Sequence, residues 1–114
     1  MRVVDSMENR LARLSSAISE VRAGARASPR TSRLLSGGVA KMAKKVVEEA
    51  TEVAVDAVQL RRAAVISESV DLFYNLAVLW HELAISPEEV WTEMDRRERE
   101  LGMVEKLPKE PDLL

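Results

Sequence analysis

The 114-residue chain has no cysteine, one histidine, one tyrosine, one phenylalanine and two tryptophans. Without cysteine there can be no disulfide framework and no thiolate metal site. With His81 as the only histidine, a histidine-rich zinc centre and a Ser-His-Asp triad with a spare base are both disfavoured. The N-terminus lacks the long apolar segment of a secretory signal. No apolar run approaches the roughly 20 residues that cross a bilayer. Charge of one sign is missing as well: 17 basic and 19 acidic residues leave a net −2. That balance gives none of the basic field a nucleic-acid polymer requires. A cytoplasmic protein with no membrane partner is expected.

What is present favours helix. Ala, Val, Leu, Glu and Arg dominate, and no alternating run bounded by hairpin turns marks a strand. The expected architecture is all-α: one domain over residues 1–114, a bundle of about four helices. Asp5 or Ser6 caps the first helix, which runs to about Val21–Ala23 with Met7, Leu11, Leu14, Ile18 and Val21 as its apolar stripe. Gly24 to Gly38, with Pro29, several hydroxyl residues and three arginines, reads as a connector pinned by Leu34 and Leu35. A second helix is predicted from about Val39 to Leu60, with Met42, Val46, Ala50, Val53 and Ala57 on its packed side. A third follows from about Ala64 to Ala84. It is apolar around most of its girth, which suits the centre of a bundle or a subunit interface. Ser86-Pro87-Glu88-Glu89 carries an N-cap, a first-position proline and a capping-box glutamate. The fourth helix then runs to about Leu101, with Gly102 as its stop and an irregular tail beyond. Trp80, Trp91, Met42 and His81 read as packing residues. A chain this small buries its core with little surplus, so a dimer is expected.

The chemistry lies in the carboxylates. Glu48, Glu49 and Glu52 share about one third of the second helix's circumference, along with Lys41, Lys45 and Asp56. Glu68 and Asp71 are neighbours at i, i+3 on the apolar third helix, and Asn75 continues their face. Two antiparallel helices joined near residues 61–63 would bring the clusters together. Carboxylates at that density repel unless a cation lies among them, and hard oxygen donors suit Mg2+ or Mn2+. The competing reading is a solvated face, in which Lys44–Glu48 and Lys45–Glu49 are ordinary i, i+4 pairs.

The stretch Gly38-x-x-Lys41-x-x-x-Lys45-Val46-Val47-Glu48-Glu49-Ala50-x-Glu52, followed by Ser67-Glu68-Ser69-Val70-Asp71-Leu72-Phe73-Tyr74-Asn75, resembles the phosphoribosyl-ATP pyrophosphohydrolase family. That family belongs to the all-α nucleoside triphosphate pyrophosphatases of MazG type, whose signature is E-E-x-x-E, a gap, then E-x-x-D. The resemblance runs from about Leu11 to Arg97. It implies Mg2+ held by Glu49, Glu52, Glu68 and Asp71, with Glu48 beside them. It also implies cleavage of the α–β phosphoanhydride of phosphoribosyl-ATP, the second step of histidine biosynthesis. Glu48 or Glu49 would help activate the attacking water. Arg33, Lys41, Lys45 and Asn75 would contact the nucleotide substrate, and the chain would act as a homodimer. Four departures from the family pattern stand outside the carboxylates: Val47 for a glycine, Pro29-Arg30-Thr31 for Ser-Tyr-Thr, Asn75 for a histidine, and Leu60-Arg61-Arg62 for a Gly-Asp turn. They keep open a second reading, a house-cleaning (d)NTP pyrophosphatase. A third, from another class, is a non-catalytic helical dimer whose carboxylates only form ion pairs.

Overall fold

Among the described residues a serine precedes three helices, and a left-handed residue closes three. The computed structural model describes residues 5–101. Helix α1 spans Met7–Arg22, and the Ser6 hydroxyl accepts the Asn9 N–H at 3.0 Å. Helix α2 spans Pro29–Ser36, α3 Gly38–Val58, α4 Arg62–Glu82 and α5 Pro87–Leu101. No strand occurs among the described residues. The expected stop at Gly102 and the tail beyond it lie outside them.

Among the described residues five helices replace the expected four, because the supposed connector contains α2. Ser28 is its N-cap and Pro29 occupies its first turn, where a missing N–H does no harm. This is the same signal as Ser86-Pro87, placed among glycines and hydroxyl residues that read as loop. At the head of α5 the Ser86 N–H donates to Glu89 Oε2 at 2.8 Å, as the capping box requires.

The helix ends share one device. After α1, α3 and α4 the chain closes a paired-bond turn: Ala25 N to Glu20 O, Arg61 N to Asp56 O, and Ile85 N to Trp80 O. Each turn needs one left-handed residue. Gly24 supplies it with φ 80°, but the other two are Leu60 at φ 59° and Ala84 at φ 57°. The break between α3 and α4 therefore falls where no glycine or proline announces it.

The core sits at one end of the α3–α4 hairpin. Ile18 and Val21 of α1, Leu34 and Leu35 of α2, Met42 of α3, and Ala77 and Val78 of α4 form it, with Leu14, Tyr74 and Leu79 packed against them. Arg22 pairs with Glu82 and ties α1 to the end of α4. The other end of the hairpin is bare. Of the stripe expected to be packed on α3, only Met42 is buried, while Ala50 and Ala57 are exposed. Helix α4 is not the buried centre of this chain either. Only Asn75, Ala77 and Val78 are buried along it, and Ile66, Val70 and Phe73 are exposed. By length and composition alone α4 could cross a membrane, but Glu68 and Asp71 stand mid-helix and its inner face packs on α1 and α3.

Candidate metal centre

Antiparallel packing of α3 against α4 determines which acidic side chains meet. Glu49, Glu68 and Asp71 each place a carboxylate oxygen within 4.8 Å of the others. Glu52, one turn beyond Glu49, is outside this 4.8 Å group, though it acts on Glu68 to raise its proton affinity. Glu48 is set apart from these four. One residue from Glu49 it turns about 100° around the helix, and it pairs with Lys45 at 3.5 Å and Lys44 at 4.0 Å. The expected Lys45–Glu49 pair is not formed, because Glu49 faces α4 instead.

Burial is distributed differently from the sequence expectation. Glu68 and Asp71 are half-buried, not sunk in an apolar helix, and Glu52 is exposed. The buried member is Glu49, 7% exposed, whose Oε2 is enclosed without a hydrogen-bond partner. A carboxylate oxygen in that position is costly unless a proton or a cation satisfies it. Its proton affinity is accordingly raised, first by burial and then by repulsion from Glu52 and Asp71, while a hydrogen bond with Glu68 acts in the opposite sense. The Glu68 carboxyl is pushed up to about 7, chiefly by hydrogen bonds to Glu52 and Glu49, then by burial and their charge. Like charges at this spacing share protons when no cation is available. An all-oxygen donor set, a buried oxygen with no partner and raised proton affinity together fit a hard divalent cation.

Of the remaining expected residues, Asn75 adjoins this centre, and no hydrogen bond or ion pair among the described residues ties Lys41 or Arg33 to it. Asn75 is buried, 1% exposed; its amide donates to the Asp71 backbone carbonyl at 2.8 Å and its Oδ1 has no partner. Lys41 is exposed and folds its stem over the α2–α3 joint, where a Cβ on Gly37 would meet the Lys41 side chain. Arg33 is exposed in the last turn of α2 and forms no ion pair among the described residues. His81 is half-buried further along α4, with Nδ1 enclosed and unpartnered.

The sequence marks Arg30 only as part of a departure from the family pattern, not as a site residue. Its guanidinium lies 3.8 Å from Asp71 Oδ1 and 4.9 Å from the centroid of the Tyr74 ring. Tyr74 is in turn fixed by a 2.6 Å hydrogen bond to Thr31 Oγ1, which also accepts from Ser28 Oγ at 3.0 Å. Thr31 and Tyr74 border a cavity of about 250 Å3 floored by Leu14, Ile18 and Val21. The one available signal was the Ser28-Pro29 start, which puts Arg30 in the first turn of a helix.

The phosphoribosyl-ATP pyrophosphohydrolase family matches this sequence over residues 11–98. Phosphoribosyl-ATP pyrophosphatase 2 of Rhodopseudomonas palustris is 53% identical over 103 residues, covering 90% of this chain and 79% of that protein. The protein of the same name from Bradyrhizobium diazoefficiens is 52% identical over 103 residues, covering 90% and 77%. The phosphoribosyl-ATP pyrophosphatase of Gluconobacter oxydans is 45% identical over 82 residues, covering 70% and 62%.

Proposed function

The chain belongs to the phosphoribosyl-ATP pyrophosphohydrolase family, and on that premise we propose that it hydrolyses phosphoribosyl-ATP to phosphoribosyl-AMP and pyrophosphate, as a cytoplasmic enzyme of histidine biosynthesis. The observation that carries this reading is the meeting of Glu49, Glu68 and Asp71 within 4.8 Å, around a buried oxygen that has no partner.

In this reading Glu49, Glu52, Glu68 and Asp71 hold Mg2+, or Mn2+ in its place. The cation supplies Lewis acidity toward the triphosphate. The residues of the chain do the rest. Water attacks phosphorus, the P–O bond to the departing pyrophosphate breaks, and a carboxylate takes the proton. Glu48, which stands outside the carboxylate cluster and pairs with Lys44 and Lys45, or Glu49 would take this proton. Glu48, held by two lysines, keeps Lys44 and Lys45 at the edge of the site, where Lys45 can meet phosphate oxygens. Lys41 and Arg33, both exposed, would add positive charge toward the substrate phosphates. Asn75 is buried, so it acts on Asp71 by holding that turn of α4 rather than by touching the nucleotide.

The bare end of the hairpin supports a homodimer. Ile66, Val70 and Phe73 recur at i, i+4 and i+7 on α4 and are 54%, 63% and 44% exposed; on α3, Val47, Val55 and Val58 are 64%, 48% and 84% exposed. An apolar surface of this extent on a small domain is a site of association. Purified protein with Mg2+ should release pyrophosphate from phosphoribosyl-ATP and not from a panel of NTPs and dNTPs, and EDTA should stop it. Turnover of dNTPs alone would overturn the substrate, and a monomer in sedimentation would overturn the dimer.

A further inference from the structure

Arg30 is in an unfavourable place for a merely structural cation. It occupies the first turn of α2, at the positive end of the helix dipole, and no acidic residue lies in that turn to offset it. Its pair with Asp71 is long, 3.8 Å, and its side chain is 62% exposed, so the pair contributes little to the fold. No hydrogen bond links its guanidinium to a described residue. What holds it is the Tyr74 ring, at 4.9 Å, itself fixed through Thr31 and Ser28. The result is a guanidinium aimed at the edge of the carboxylate cluster with its donors unused.

A divalent cation among Glu49, Glu68 and Asp71 would occupy the charge that Arg30 faces. Arg30 and the cation would then repel each other unless an anion bridged them. A phosphate group does this, because its oxygens can meet the cation on one side and the planar fork of arginine on the other. We propose that Arg30 is a phosphate-binding residue of the active site, which grips the pyrophosphate portion of the substrate and the product from the α2 side. This rests on the pyrophosphohydrolase reading for the identity of the substrate, but not for the anion binding itself.

The two sides of this arrangement predict opposite signs. In Arg30→Ala, Mg2+ alone should bind as tightly as in the wild type or more tightly, since a repelling charge is gone. Inorganic pyrophosphate with Mg2+ should bind roughly 10- to 100-fold more weakly, the loss expected for hydrogen bonds to a charged group. Arg30→Lys should fall between, keeping charge but not the fork. Isothermal titration calorimetry of the full chain with Mg2+, then with pyrophosphate at saturating Mg2+, measures both. In turnover, the KM for phosphoribosyl-ATP should rise by a similar factor while kcat changes less. Equal pyrophosphate affinity in Arg30→Ala and wild type, or no pyrophosphate binding by the wild type, overturns the inference. A wild type that binds pyrophosphate through Arg30 but cleaves no phosphoribosyl-ATP would sink the proposed activity and leave this one standing.

Discussion

Replacing Glu68 with Gln tests the carboxylate centre through its protons. The Glu68 carboxyl has a midpoint of about 7 in the folded chain, against 4.5 for an ordinary glutamate. At pH 7 it is therefore about half protonated, while a free glutamate retains about 0.3% of its protons. A divalent cation takes the ionised form, so loading at pH 7 should expel about half a proton from this carboxyl, and Glu49 adds to the release. At pH 9 the share released by Glu68 should almost vanish, because that carboxyl is already ionised. The sign for stability follows. Between pH 4.5 and 7 the metal-free folded chain holds more protons than the unfolded chain, so its stability falls as pH rises through that window. Below 4.5 both states are protonated and there is no penalty; above 7 the penalty is complete.

Glu68→Gln cannot ionise. Without metal it should melt higher than the wild type at pH 8, lose most of the decline between pH 5 and 8, and lose most of its stabilisation by Mg2+. Calorimetric Mg2+ titration at pH 7 in two buffers of different ionisation enthalpy reads the proton count. Thermal melts in EDTA read the pH profile. A heat independent of buffer at pH 7, or a Glu68→Gln profile parallel to the wild type, would refute the shared-proton account of this cluster.

Other perturbations follow from the same geometry. Glu52→Gln and Asp71→Asn should each abolish pyrophosphate release while leaving circular dichroism unchanged; full turnover in either would remove that residue from the metal site. Ala84→Gly should stabilise the chain despite the usual harm of glycine near helices. The left-handed φ of 57° costs an L-residue about 1–2 kcal/mol, and the flexibility of glycine returns only about 0.5–1 kcal/mol of that; a lower urea midpoint would contradict the turn assignment. Met42→Ala removes a fully enclosed side chain and should cost about 2–5 kcal/mol in chemical denaturation, with a change below about 1 kcal/mol showing that the core is elsewhere.

The helices were legible where local signals and burial agree. Helix α1 shows both its Ser6 cap and its apolar stripe, and Leu11, Ile18 and Val21 are buried as the spacing requires. Helix α2 was missed although Ser28-Pro29 repeats the start signal of Ser86-Pro87. Pro29 also reads as a breaker, and eight residues are too few for periodicity to outweigh Gly37 and Gly38. The ends of α3 and α4 were blurred for a related reason. Leu60 and Ala84 adopt a conformation that sequence rules assign to glycine, and the backbone hydrogen bonds Arg61 N to Asp56 O and Ile85 N to Trp80 O close the chain around them.

The candidate site was legible as a set of residues but not as an arrangement of burial. The apolar character of α4 suggested that Glu68 and Asp71 are deep, yet much of that apolar surface is exposed at the bare end of the hairpin. Composition around a helix does not by itself say which part of its surface the rest of the chain covers. Glu49 looked like one more residue of a charged helix face, but it is the carboxylate that α4 encloses. Arg30 was invisible for the complementary reason: its neighbours Asp71 and Tyr74 lie more than 40 residues away, so no local pattern could pair them. Local rules identify which side chains share a helix face. Which carboxylate is buried depends on how two such faces meet, and the Arg30–Asp71 pair is decided by the unexpected helix α2.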